Sequence, residues 1–142
     1  MTAIEVSQRI EASVDDVWAE LERIEDHTAW MADAVAIRFD SDQHRGAGTR
    51  IDVDTRVGPL RLVDRMEFVR WEPPIAMGVR HQGLVGGTGE FLLTAADGAT
   101  TVTWREDLEF PWYLAGPVGA WLARPVLRHI WRRNLERLAA RC

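Results

Sequence analysis

The sequence predicts an α+β fold: a curved antiparallel sheet of about six to seven strands, two short helices after the first strand, and one long C-terminal helix. Three patterns carry this expectation. Residues 2–10 alternate apolar and polar side chains. Between residues 35 and 110 further alternating runs follow one another with tight turns between them, which favours an antiparallel meander. From residue 119 onward the apolar side chains recur at helical spacing instead.

Each element has its own signature. In the first strand Ile4, Val6 and Ile10 share one parity, and Glu5, Ser7 and Arg9 the other, as in a half-buried strand. Ser13 occupies an N-cap position, with Asp15 and Asp16 in the first turn, where carboxylates complement the helix dipole. The helix it opens buries Val14, Val17, Trp18 and Leu21. A second short helix near residues 23–31 carries Ile24, His27, Trp30 and Met31; His27 is read there as a surface or capping residue. Val35, Ile37 and Phe39 mark the next strand, and the polar stretch 41–48 a turn. Ile51, Val53, Thr55 and Val57 then alternate with Arg50, Asp52, Asp54 and Arg56.

Gly58 and Pro59 turn the chain, residues 60–71 run back, and Pro73 and Pro74 break that run. Residues 76–83 and 87–95 form the next two strands. Gly86, Gly87 and Gly89 between and within them mark a sharp bend or a close approach of backbone. Asp97 and Gly98 signal a hairpin into the last strand, residues 100–110. In the long helix Leu127, Ile130, Trp131, Asn134, Leu135 and Leu138 share a face, with Arg128, Arg132, Arg133 and Glu136 opposite. Pro125 removes one helical hydrogen bond and is expected to kink the helix or start a second segment.

Composition excludes several chemistries. At 142 residues, 46% hydrophobic and 27% charged, the chain is expected to form a single domain over residues 1–142 with one sizeable core. It has no apolar run long enough for a membrane span and no secretory signal pattern, so a cytoplasmic location is expected. Cys142 is the only cysteine, which rules out an intramolecular disulfide and thiolate metal clusters. All 17 basic residues are arginine, so no lysine exists for a Schiff base or a phosphate loop. Ser7, Ser13 and Ser41 lie outside any nucleophile-elbow pattern. His27, His44, His81 and His129 lack zinc-binding spacing, and neither a metal nor another cofactor is expected.

Charge is uneven along the chain. Residues 124–141 hold six arginines against Glu136, a net +5, which leaves −10 on the remainder of a chain whose total is −5. An acidic body opposes polyanion binding, so no DNA partner is expected and the basic segment reads as a solvated helix face. The alternative use of Arg128, Arg132 and Arg133 is docking to an acidic macromolecule.

The order of elements and several local motifs together resemble a known superfamily. Ile10, Ser13, Asp16, Val17 and Trp18 look like its strand-to-helix opening. Leu21, Ile24, Glu25, His27, Trp30 and Met31 resemble its second-helix signature, and Gly46 to Thr49 its loop into the third strand. Thr101 to Trp104 and Trp131 to Leu138 look like its last strand and last helix. The chain thus resembles the START-like or SRPBCC superfamily, also called the Bet v 1-like or polyketide cyclase/dehydrase group. The resemblance implies a helix-grip fold, with the sheet wrapped around the long helix and an apolar pocket between them. Members include lipid and quinone carriers, aromatase/cyclases and hormone receptors, so the fold does not specify the function. Residues 60–72 lack the Trp, Ser and Arg pocket pattern of the aromatase/cyclase subgroup.

Within that frame the informative residues are polar groups in apolar rows. Leu60, Leu62, Met66 and Phe68 share a parity that Asp64 interrupts. Val102, Trp104, Leu108 and Phe110 share one that Glu106 interrupts, and His81 continues the row of Met77 and Val79. If these rows face the concavity, Asp64, His81 and Glu106 point into the pocket as candidate catalytic or ligand-orienting groups. Ile51, Val53 and Phe91 are expected beside them, with Trp30, Met31 and Phe39 from the preceding elements. Trp30, Trp112 and Trp121 are placed at the pocket mouth, next to residues 110–114 as a lid, and Leu122 is expected to line the pocket as well. The leading expectation is binding of a hydrophobic or amphipathic small molecule. The alternatives are a cyclase/dehydrase-type enzyme and a partner-binding module.

Overall fold

The computed structural model describes residues 2–142. Its strands are β1 (Thr2–Ile10), β2 (Ala34–Phe39), β3 (Arg50–Val57), β4 (Leu60–Glu72), β5 (Ala76–Gln82), β6 (Gly86–Ala96) and β7 (Ala99–Glu109). They form one seven-stranded antiparallel sheet in the order β1-β7-β6-β5-β4-β3-β2. Sequential strands are neighbours except at the first, which crosses to pair with the last. Between β1 and β2 lie α1 (Val14–Leu21) and a 3-10 helix (Ile24–Ala29), and α2 (Gly116–Arg141) closes the chain.

Local chemistry accounts for the boundaries. The Ser13 hydroxyl accepts the Asp16 amide at 3.2 Å and starts α1. The second short helix is a 3-10 helix over Ile24–Ala29, and the Trp30 and Met31 amides donate to the His27 carbonyl at its end. In β2 a bulge between Ala34 and Ala36 turns Val35 out, so that it is 58% exposed despite sharing parity with Ile37 and Phe39. Helix α2 runs through Pro125 without a break. One missing hydrogen bond does not end a helix whose following turns bury Leu127, Trp131, Leu135 and Leu138. Each of those aliphatic side chains contributes about 1.5–3 kcal/mol on full burial.

The helix packs against β1 and β7. Ile4, Val6 and Ile10 of β1, Val102 and Trp104 of β7, and Val17 and Leu21 of α1 form the dense core there. Two polar clamps hold α2 in place. The fully buried Asn134 accepts from the Ala32 amide at 3.0 Å and donates to Asp33 Oδ1 at 2.7 Å, while Trp131 Nε1 donates to Asp33 Oδ2 at 3.1 Å. Arg141 pairs with the buried Glu20 of α1. The concave side chains of β3, β4 and β5 face the helix across a gap.

Candidate functional site

That gap is a cavity of about 180 Å³. Strand alternation builds its walls. β3 contributes Ile51, Val53, Thr55 and Val57, and β4 contributes Leu60, Leu62, Met66 and Phe68. Ala123, Leu127 and Trp131 form the helix side. Leu60, on the β3–β4 hairpin, is 39% exposed while lining the cavity, which puts an opening at that end. Val85, Phe110 and Leu114, from the β5–β6 turn and the segment after β7, also line it.

Most of the residues expected in the pocket are brought to it. Met31, Ile51, Val53, Leu62, Met66 and Val79 line the cavity, as do Phe91, Leu108 and Phe110. Asp64, His81 and Glu106 are there too. The others lie elsewhere. Trp30 and Met77 are buried in solid core, where Trp30 packs edge-on against Phe91 and Trp104. Phe39 stacks on His44 with ring centroids 3.8 Å apart. Trp112, Trp121 and Leu122 are exposed. On α2 the inward positions are Ala120 and Leu127, and Trp121 and Leu122 fall outside that phase. Sequence reading missed Leu114, Ala123 and Leu127 as wall residues, because their position depends on how α2 docks.

The polar residues form one connected group. His81 Nδ1 lies 3.0 Å from Asp64 Oδ1, and His81 Nε2 lies 2.8 Å from Glu106 Oε2. Trp104 Nε1 donates to the other Glu106 oxygen at 3.1 Å. The three residues sit on β4, β5 and β7, so the His81–Glu106 bond must cross β6. Gly89 makes that crossing passable. It pairs with Glu106 in register, and a Cβ there would lie 2.1 Å from Glu106 Oε2. Gly87, opposite His81, has φ +109° and its Cβ would lie 1.9 Å from the Asp107 carbonyl, so it too admits no side chain.

Electrostatics sets the protonation of this group. Burial opposes charge on His81, but Glu106 and Asp64 outweigh it and push the imidazole pKa up to about 10. At neutral pH His81 is therefore an imidazolium that donates both N–H groups to carboxylates. Asp64 retains 17% side-chain exposure, against 4% for His81 and 8% for Glu106. His81 stands between the two acids, so the three do not converge on a common ligand point. Among the described residues no group of three or more His, Cys, Asp or Glu side chains is arranged to hold a metal ion.

A second histidine also lines the cavity. His27 is buried, not at the surface, and its Nε2 lies 2.7 Å from the Leu21 carbonyl, capping the end of α1. Burial drives its pKa down to about 4, against the smaller opposing effect of that carbonyl, so it is neutral. Away from the cavity, Arg128 and Arg132 are exposed on α2, while Arg133 pairs with Glu136 and Arg137 donates to Asn134. No helix among the described residues is long and apolar enough to cross a membrane.

A sheet gripping one long helix around an apolar cavity is a hydrophobic-ligand-binding fold of the SRPBCC type. The chain belongs to the family described as polyketide cyclase / dehydrase and lipid transport, whose model matches residues 1–142. Its fold is similar to that of a Thermus thermophilus protein, with TM-score 0.83 and 14% identity over 99% of this chain and 96% of that one. It is also similar to a START superfamily protein from Mycobacterium smegmatis, with TM-score 0.79 and 11% identity over 98% and 95% of the two chains. The di-domain ARO/CYC StfQ from the steffimycin biosynthetic pathway aligns with TM-score 0.75 and 16% identity, over 97% of this chain and 50% of that one. At such identities the likeness is one of fold. No curated protein matches the chain in sequence.

Proposed function

We propose that the protein binds an apolar small molecule in the cavity between the sheet and α2. The observation that supports this reading is the cavity wall itself. Of its lining side chains only His27, Asp33, Thr55, Asp64, His81 and Glu106, with the two indoles Trp104 and Trp131, carry polar atoms. A concave space walled mainly by apolar side chains, with a few polar groups among them, is the form a small-molecule site takes. Binding is favoured over acid–base turnover by the state of His81. Both ring nitrogens are engaged, and a pKa near about 10 lies far from the range in which a general base works at neutral pH. The polar group then serves to orient the bound molecule.

The test is to fill the space. Leu62 is a half-buried wall residue of β4. Leu62→Trp should abolish the fluorescence enhancement of the uncharged probe N-phenyl-1-naphthylamine and leave the far-UV circular dichroism and urea midpoint near wild type. Probe uptake unchanged in a folded Leu62→Trp variant would place the binding somewhere other than the cavity.

A further inference from the structure

The cavity carries an imbalance of hydrogen-bonding groups that bears on what enters it. Every side-chain donor in the wall is already committed. His81 gives both N–H groups to Asp64 and Glu106. Trp104 gives its N–H to Glu106, and Trp131 gives its own to Asp33. The Thr55 hydroxyl donates to the Val53 carbonyl at 3.3 Å, and His27 Nε2 to the Leu21 carbonyl. The spare capacity is all acceptor. Asp33 has both oxygens engaged, and so has Glu106. Asp64 has only Oδ1 engaged; among the described residues no group bonds its Oδ2.

Formal charge points the same way. The wall holds three acidic groups, Asp33, Asp64 and Glu106, against one cation, His81, with His27 neutral. None of the 17 arginines lines it. A carboxylate or phosphate entering this space would meet like charge and no free donor, in surroundings where an unpaired anion is costly. A donor at the end of an apolar body would meet a carboxylate oxygen with nothing else bonded to it.

We infer that the cavity selects an apolar molecule ending in a hydrogen-bond donor, a protonated amine first and a hydroxyl second, held at Asp64 Oδ2, and that it rejects carboxylates. This rests on the cavity-binding reading above and names the ligand class within it. The probes are octylamine, 1-octanol and octanoate, one chain with three head groups. Binding is followed by calorimetry at about pH 8, where the amine is cationic and the acid anionic. Octylamine should bind about tenfold or more tighter than octanoate, the scale of a charge-assisted hydrogen bond, with octanol between. Asp64→Asn should erase the advantage of the amine over the alcohol.

The outcomes separate the two readings. Octanoate binding as tightly as octylamine overturns the selectivity and leaves the cavity standing. An amine preference that persists in Asp64→Asn overturns the role of Asp64, and amine binding that survives Leu62→Trp assigns it to the acidic surface and overturns the proposal. Failure of all three probes to bind overturns the cavity reading and this one with it.

Discussion

His27 and His81 line the same cavity and are buried alike, at 3% and 7% exposure, yet they stand in opposite charge states. Burial acts on both in one direction, against the imidazolium. At His27 its main opponents are a backbone carbonyl and more distant acids, and the pKa falls to about 4. At His81 the same penalty is outweighed by Glu106 and Asp64, and the pKa rises to about 10. The partners therefore decide the charge, and burial only raises the stakes. One cavity thus contains a neutral aromatic corner, where His27 faces Phe91 at a centroid distance of 6.4 Å, and a charged corner around His81.

Deleting each histidine should show the difference most strongly. His81→Leu leaves Asp64 and Glu106 facing an apolar space without their shared cation, a loss on the order of 3–5 kcal/mol for a broken buried pair. His27→Leu leaves the Leu21 carbonyl without its partner, a loss of about 1–3 kcal/mol. Urea unfolding at neutral pH measures both. Equal losses would mean that the carboxylates find other partners and that the two corners do not differ as described.

The pH dependence of stability sharpens the comparison, because the two histidines set slopes of opposite sign. Folded His81 keeps its proton to about pH 10, whereas its ordinary pKa is 6.5. Its contribution is complete below 6.5 and is lost as pH rises from there toward about 10. Folded His27 refuses a proton that the unfolded chain takes up below its ordinary pKa of 6.5, so stability falls as pH drops from 6.5 toward about 4. Each limb amounts to a few kcal/mol at most, on the scale of about 1.4 kcal/mol per pKa unit. Urea midpoints across this range should lose the alkaline limb in His81→Leu and the acid limb in His27→Leu. Both limbs surviving in both variants would refute the assignment.

How far the site could be read from the chain follows from what each feature depends on. Asp64, His81 and Glu106 were legible because strand side chains alternate, and a charged residue in an apolar row stands out. That parity survived because the bulge between Phe68 and Arg70 in β4 lies beyond Asp64 and Met66. In β2 the bulge between Ala34 and Ala36 falls within the strand and turns Val35 outward, which alternation alone does not show. The bonds joining the three residues were not legible, since they depend on register across four strands. The clamp of Asp33 on Trp131 and Asn134 spans about a hundred positions and leaves no local trace. Trp112 and Trp121 were drawn to the pocket by their chemical type, whereas the phase of α2 and the turn before it point them outward.

The smallest change with a readable effect is one methyl group. Gly89→Ala introduces a Cβ where the Glu106 carboxylate lies, 2.1 Å from Oε2 and 2.4 Å from its carboxyl carbon. The backbone need not move, because Glu106 is a flexible side chain and can rotate away. In rotating it gives up both His81 and the Trp104 indole. The stability loss should be about 2–3 kcal/mol, below that of His81→Leu because the rotated carboxylate regains contact with solvent. The larger signal is in His81, which loses the stronger of its two raising influences and should titrate well below about 10. Nitrogen-15 NMR of the imidazole reads this directly. Wild type should show both ring nitrogens protonated through neutral pH, and Gly89→Ala a titration moved toward 6.5. An unmoved titration would mean that Asp64 alone holds the charge, and the bare glycine beneath Glu106 would then have no part in setting it.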